Sequence, residues 1–88
     1  MNGLETDSIY KEARIIITDY LRLDEDEIKP DTHIVNDAGA DSLALVELGF
    51  QLNERFGVPI TDTSDEMLVF KNLVNYIKEN LELKNERT

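Results

Sequence analysis

The chain has 88 residues, of which 41% are hydrophobic and 32% are charged. A chain of this length forms one small domain with one core, and it is too short for an enzyme whose active site lies between two lobes. Its 19 acidic and 9 basic residues give a net charge of −10, which opposes binding to nucleic acids and to anionic membrane surfaces. We therefore expect a single domain over residues 1–88, with neither nucleic acid nor a membrane as a partner.

Side chains suited to catalysis or metal binding are scarce. The sequence has no cysteine and a single histidine, His33. General acid–base and nucleophilic catalysis usually need a His, Cys or Lys beside a second group, and zinc sites use several Cys or His residues. The acidic run that begins at Asp24 does not fit a calcium-binding loop, because Lys29 stands where that loop requires glycine. We predict no enzyme activity, no catalytic residues, no metal site and a loop role for His33.

Two features bear on the cellular location. Residues 1–8 contain Glu5 and Asp7 where a secretion signal has basic residues, and no apolar run is longer than four residues, the length of the run from Met67 to Phe70. That run is far shorter than a membrane span. The lack of cysteine suits a reducing compartment. We expect a cytoplasmic protein that does not insert into membranes.

The first predicted helix covers residues 8–21. One helical stripe with the i, i+4, i+7, i+8 spacing consists of Ile9, Ala13, Ile16, Ile17, Tyr20 and Leu21. Residues 23–40 combine turn formers with acidic residues and read as a loop. We expect Ile28 and Ile34, with Val35, to anchor this loop in the core, since a loop of this length is uncommon without a function.

The second predicted helix opens at Asp41-Ser42 and ends at Phe56-Gly57, where glycine can adopt the left-handed conformation. Its apolar residues form two adjoining stripes. The first, which we expect to face the core, consists of Leu45, Leu48, Gly49, Leu52 and Phe56. The second consists of Leu43, Val46 and Phe50. One stripe is enough for a core, so the second predicts a contact surface if it stays exposed.

Two further helices complete the predicted fold. Residues 62–68 contain capping chemistry, with Thr63 three residues before Glu66, and predict a short third helix. The spacing of Phe70, Leu73, Val74, Ile77 and Leu81 predicts a fourth helix over residues 70–81. Residues 82–88 read as a solvated tail. The predicted fold is all-α, a small four-helix bundle with a long first loop.

The segment that leads into the second helix reads Asp-Ala-Gly-Ala-Asp-Ser-Leu over residues 37–43. Its small residues let the backbone pass close to a helix start that presents Ser42. The first amides of a helix lack partners within the helix and favour an anion, so a phosphate ester on Ser42 would be well placed. Taken alone, the same pattern is also that of an ordinary capping serine.

In its context this segment resembles the attachment motif of acyl carrier proteins. A Gly-Ala-Asp-Ser-Leu sequence follows a long acidic loop and opens a helix that carries Val46-Glu47-Leu48, and the likeness extends over about residues 8–81. The resemblance implies a fold of the acyl-carrier type. It also implies that Ser42, flanked by Asp41 and Leu43, receives 4′-phosphopantetheine from coenzyme A, and that the thiol of this arm carries acyl groups as thioesters. Asp41 would help the modifying transferase to hold magnesium.

The resemblance also implies partners: a phosphopantetheinyl transferase, and acyl-loading and acyl-processing enzymes with basic docking patches. From the second apolar stripe and the negative charges of the helix we predict the docking residues Asp41, Leu43, Val46, Glu47, Phe50 and Glu54. Relatives shelter the acyl chain between helices and usually carry a larger aliphatic residue in place of Gly49. That space is either refilled by a neighbour such as Phe50 or left as part of an acyl pocket, for which we predict Gly49 and Leu52. We expect a monomer.

Three departures from the family pattern, of which Gly49 is one, leave alternatives open. Ala44 stands where many relatives have an acidic residue, and Arg55 is expected to interrupt the acidic end of the second helix. The leading hypothesis is a carrier for fatty-acid or related acyl-chain biosynthesis, and the alternative within the family is an aminoacyl or polyketide carrier. A hypothesis of another class is an unmodified acidic helical module that docks partners through its exposed apolar stripe.

Overall fold

Three α-helices and one 3-10 turn make up the regular structure of residues 6–87, the part of the chain that the computed structural model describes, with side chains described for residues 7–83. Helix α1 spans Thr6–Leu21, α2 spans Ser42–Phe56 and α3 spans Phe70–Arg87. The all-α prediction is confirmed. Residues 1–5, which contain Glu5 of the segment used to predict the absence of a secretion signal, lie outside the described residues.

The helices share one core, in which α1 contacts both α2 and α3. Ile9, Ala13 and Ile17 of α1 are fully buried, as their spacing predicts. The buried apolar side chains of the other two helices are Ala44, Leu48, Leu52, Phe56, Phe70, Leu73, Val74 and Ile77. The rings of Tyr10 and Phe70 meet edge to face at 4.8 Å and join α1 to α3.

The long first loop is anchored as predicted. Ile28 and Ile34 are buried, and Val35 is half-buried. The acidic run of this loop forms a 3-10 turn, Glu25–Glu27, in which the Asp24 N–H donates to Glu27 Oε2 at 2.9 Å. The acidic side chains of the run stay exposed, so the contribution of this loop to the core comes from its apolar residues.

The prediction of a short third helix is wrong, and residues 6–87 contain three α-helices where four were expected in the chain. Residues 65–68 form a single turn, closed by the Leu68 N–H donating to the Ser64 carbonyl at 3.0 Å. The expected cap is also displaced, because Ser64 Oγ rather than Thr63 accepts from the Met67 N–H, at 3.3 Å. One turn gains too few hydrogen bonds to offset the entropy of starting a helix.

The two loops pair with each other beside this turn. The Ile34 N–H donates to the Leu68 carbonyl and the Phe70 N–H to the Thr32 carbonyl, each at 2.9 Å, so that His33 and Val69 form an antiparallel bridge. Leu68 therefore gives its carbonyl to the first loop instead of to a further helical turn. This pairing holds the first loop against the start of α3.

Helix α3 continues past its predicted end at Leu81 to Arg87. The prediction stopped where the apolar stripe stops, but the residues that follow are mostly good helix formers without glycine or proline. The exposed side chains of Glu82 and Leu83 agree with the expected solvation of this segment, and Thr88 lies outside the described residues. No helix within residues 6–87 has the length and apolar composition that a membrane span requires.

Candidate functional site

Ser42 is the first residue of α2, and its side chain is exposed. Asp41 caps the helix, since its Oδ1 accepts from the Ala44 N–H at 2.8 Å. The Asp41 carbonyl accepts from the Leu45 N–H at 2.9 Å. The amides of Ser42 and Leu43 have no carbonyl partner inside the helix. An anion on Ser42 Oγ would therefore lie at the positive end of α2.

The residues just before Ser42 fix the direction from which the chain enters α2. Gly39 has a φ of +84°, and nothing lies within 4 Å of the position where a Cβ would stand. Glycine is therefore required here by the backbone conformation and not by crowding. Ala40 is buried, and its N–H donates to the Ile34 carbonyl at 3.0 Å. The small residues of this segment thus bring the backbone against the core immediately before Ser42.

A surface groove of about 470 Å³ begins at Ser42 and runs between α2 and the segment 59–63. Its lining residues are Ser42, Leu45, Val46, Gly49, Phe50, Asn53, Pro59, Ile60, Thr61 and Thr63. A second, smaller cavity of about 30 Å³ adjoins it and is bordered by Leu52 among others. Leu45, Gly49, Ile60 and Thr63 border both spaces, so the groove and the cavity adjoin at the middle of α2.

Gly49 leaves space at this junction. A Cβ at Gly49 would lie 3.8 Å from the Ile60 carbonyl oxygen and 3.9 Å from the Ile60 Cβ, which is ordinary van der Waals contact. Phe50, the neighbour considered for refilling this place, is exposed for more than half of its surface and lines the outer groove. The absent side chain of Gly49 therefore leaves part of the groove wall open toward the cavity.

The second apolar stripe of α2 is exposed. Leu43, Val46 and Phe50 each expose more than half of their surface, and Glu47 and Glu54 are exposed as well. At about 100° per residue these five side chains fall within an arc of about 100°. We call them the outer face of α2. It combines an apolar strip with two carboxylates, of which Glu54, the farther from Ser42, lies about three helical turns away.

Arg55 lies away from this outer face, contrary to the expectation that it interrupts the acidic end of the helix. Its guanidinium forms an ion pair with Glu12 of α1 and lies 5.3 Å from the centre of the Phe56 ring. The position of Arg55 is about 100° round the helix from Glu54. The negative charge of the outer face is therefore not cancelled by Arg55.

The sequence did not indicate every residue of this site. The wall formed by Pro59, Ile60, Thr61 and Thr63 carries no motif, because it reaches Ser42 only through the packing of a loop on α2. Part of it was assigned to the short helix that does not form. No cluster of three or more His, Cys, Asp or Glu residues able to hold a metal occurs within the described part of the chain.

Comparisons with known proteins agree with this geometry. Residues 12–77 match a family model described as a phosphopantetheine attachment site. The chain is 42% identical over 76 residues to an acyl carrier protein of Campylobacter lari, covering 85% of this chain and 97% of that protein. It is 42% identical over 74 residues to one of Campylobacter hominis, covering 83% and 92%. It is 36% identical over 74 residues to one of Helicobacter pylori, covering 83% and 95%.

The chain belongs to the acyl carrier protein family, whose members carry a phosphopantetheine group. It functions as an acyl carrier and not as an enzyme. The family membership implies interaction with a phosphopantetheinyl transferase and with acyl-processing enzymes.

Proposed function

We propose that Ser42 carries the 4′-phosphopantetheine arm, and that the protein delivers acyl thioesters on that arm to enzymes of fatty-acid or related acyl-chain biosynthesis. The observation that carries the proposal is the exposed hydroxyl at the first residue of α2, inside the matched region 12–77. The arm supplies a thiol, which this cysteine-free chain lacks.

The residues around Ser42 fit the phosphate of such an arm. The unpaired amides at the start of α2 favour the negative charge of a phosphate ester. Asp41 uses Oδ1 for the helix cap, and its other oxygen, Oδ2, remains available to a magnesium ion held by the transferase. Leu43 stands exposed on the other side of Ser42, where it can contact the transferase.

The groove and the cavity support an acyl pocket between α2 and the segment 59–63. The groove starts at Ser42, and its junction with the cavity lies at Gly49, where no side chain blocks the way. Leu52 is part of the apolar wall of the cavity. Each methylene that leaves water for such a wall stabilises the loaded protein by about 0.8 kcal/mol. In the unloaded protein the cavity holds only about 30 Å³, so an acyl chain that enters it has to widen it, and the remainder of the chain would lie in the groove.

The outer face of α2 is the proposed docking surface. Phe50 is its largest apolar side chain, and Glu47 and Glu54 lie on the same side of the helix. Partners with a basic patch beside an apolar pocket complement this surface, and Asp41 adds a third negative charge beside the attachment serine. The charge of −10 opposes self-association, which supports a monomer. A cytoplasmic location is part of the same proposal.

The test is modification with coenzyme A and a phosphopantetheinyl transferase, followed by intact-mass and peptide mass spectrometry. We expect one arm per chain, attached to Ser42. Ser42→Ala should abolish the adduct and leave the fold intact, because Asp41 provides the cap. Ser64→Ala is the matched control and should be modified like the wild type. No adduct with transferases of either broad or narrow specificity would favour the unmodified interaction module.

A second experiment separates the pathways within the family. The modified protein is offered to a malonyl-transferring enzyme of fatty-acid synthesis and, separately, to an enzyme that activates amino acids. Thioester formation with the first enzyme alone is the expected result. Loading by the amino-acid enzyme alone would favour an aminoacyl carrier instead.

A further inference from the structure

The ring of His33 organises the segment that leads to Ser42. The side chain is only 12% exposed, and Nδ1 accepts from the Asn36 N–H at 2.9 Å and from the Val35 N–H at 3.2 Å. Because Nδ1 accepts both bonds, the proton of the neutral ring is on Nε2. The ring thus serves as a fixed acceptor for two successive backbone amides.

The main chain of His33 continues the same arrangement. Its carbonyl accepts from the Asp37 N–H at 2.8 Å and from the Ala38 N–H at 3.1 Å, while its own N–H donates to Asp37 Oδ2 at 2.8 Å. The amides of four successive residues, 35–38, therefore all donate to His33. The next residue, Gly39, donates to the Val35 carbonyl at 3.1 Å, which extends the network to within three residues of Ser42.

His33 is itself held by the second loop. It pairs with Val69 in the antiparallel bridge, and its Nε2 lies 3.4 Å from Asp65 Oδ1. Asp65 is 94% exposed, so this second contact is weak, and the backbone bridge is what fixes the residue. The bridge anchors His33 to the molecule, and Nδ1 then orders the turn in front of Ser42.

We propose that His33 is a positioning residue for the modification of Ser42, acting through the acceptor at Nδ1. The inference rests on the proposed function, in which Ser42 is the attachment site. By holding the amides of Val35 and Asn36 in one arrangement, the ring reduces the need for the transferase to order this segment when it binds. The acceptor therefore acts on the binding of the carrier and not on the chemical step.

Two substitutions of His33 distinguish the role of Nδ1 from that of Nε2. In His33→Asn, the short side chain keeps an oxygen that can accept from the following backbone amides. In His33→Gln, the amide group reaches the place of Nε2 but provides no acceptor at the place of Nδ1. We expect His33→Gln to raise the transferase KM for the carrier about three- to tenfold with kcat unchanged, the range of one or two ordinary hydrogen bonds. His33→Asn should stay within about twofold of the wild type.

Hydrogen exchange gives a readout that does not depend on the transferase. In His33→Gln the amides of Val35 and Asn36 should exchange about tenfold faster, while amides in the middle of α1 keep their rates. A wild-type KM in His33→Gln would overturn the proposal, and so would an equal KM increase in both variants, because that would trace the effect to packing of the ring. Failure of the proposed function is distinguishable, since the wild type itself would then carry no arm.

Discussion

The two apolar rows of α2 have similar side chains, but one row is buried in the core and the other is exposed to solvent. The inner row, which is 2–7% exposed, consists of Ala44, Leu48, Leu52 and Phe56. The outer row, which is 54–68% exposed, consists of Leu43, Val46 and Phe50. The centres of the two rows lie about half a turn apart on the helix. Hydrophobicity in one helix thus serves stability on one side and, in the proposed function, recognition on the other.

The difference between the rows arises from what covers them. Helix α1 contacts α2 on the inner side, where the ion pair between Arg55 and Glu12 also lies. The segment 59–63 borders the outer row only along the groove and leaves more than half of each of its side chains exposed, so the row keeps a large apolar area in water. An apolar strip beside carboxylates is typical of a surface that binds a partner and is not typical of a protein core.

The largest expected effect is on stability, and it distinguishes the rows directly. Leu52→Ala should lower the free energy of unfolding by about 2–5 kcal/mol, because it removes buried methyl groups and leaves a cavity. Phe50→Ala should lower it by less than about 1 kcal/mol, because the ring is already in water. Urea denaturation of both variants measures the two values. Equal losses would mean that Phe50 packs on the protein and that the outer row belongs to the core.

For the binding of partner enzymes, unlike for stability, we expect the outer row to matter more than the inner row. We expect Phe50→Ala to lower the transferase kcat/KM for the carrier about tenfold, since a central aromatic side chain contributes much of the energy of an interface. Glu47→Lys should lower it several-fold at low salt and less at high salt, because exposed charges act mainly on association.

Glu79→Lys is the matched control for this charge reversal, because Glu79 is exposed on α3. It changes the net charge equally and should leave kcat/KM near the wild-type value. If Phe50→Ala and Glu47→Lys both behaved like Glu79→Lys, the docking surface would lie elsewhere on the molecule.

Gly49 lies between the two rows, and substitutions there test whether the space beside it is spare volume or part of the packed core. Gly49→Ala should raise the free energy of unfolding by about 1 kcal/mol, because alanine is the better helix former and its Cβ meets Ile60 at ordinary contact distance. Gly49→Val should also stabilise the unloaded protein but reduce the stability gained on acyl loading. Thermal melts of unloaded and acylated protein give both quantities. A loss of stability in unloaded Gly49→Val would show that no spare volume exists at this position.

The smallest effect is expected at the edge of the inner row. Arg55 and Glu12 are both partly exposed, so breaking their ion pair with Glu12→Gln should cost only about 0.2–1 kcal/mol. The loss should shrink as salt is added. A double-mutant cycle with Arg55→Gln measures the coupling. A coupling that does not respond to salt would contradict this assignment of a solvent-screened pair.

The sequence predicts the parts of the fold that depend on helical periodicity. Most of the α1 and α2 stripes and the glycine cap at Gly57 lie where the spacing and the end signals place them. Tyr20 of the predicted α1 stripe is exposed, however, and Leu45 and Gly49 of the predicted core stripe of α2 are half-buried and line the groove. The short third helix was wrong, because capping residues alone do not show that Leu68 gives its carbonyl to the first loop. The predicted end of α3 was wrong because the prediction followed the apolar stripe, whereas the residues after Leu81 are mostly good helix formers and the helix continues through them.

The candidate site likewise has parts that the sequence predicts and parts that it does not. The motif marks Ser42, and helical spacing alone separates the outer row of α2 from the inner one. The wall at Ile60 and the side on which Arg55 pairs could not be predicted, since both depend on which elements pack against α2. The ring of His33 was expected to be an ordinary loop side chain. Its role as an acceptor depends on a backbone bridge to Val69 that lies 36 residues further along the chain.

The hydrogen bond between Tyr76 and Pro59 gives the protein an optical reporter. The Tyr76 hydroxyl donates to the Pro59 carbonyl at 3.2 Å and so connects α3 to the wall of the groove. The chain has no tryptophan, so no indole ring absorbs or masks tyrosine emission. With Tyr10 and Tyr20 replaced by phenylalanine, the fluorescence of Tyr76 alone would follow the motion of that wall in real time, without an attached dye.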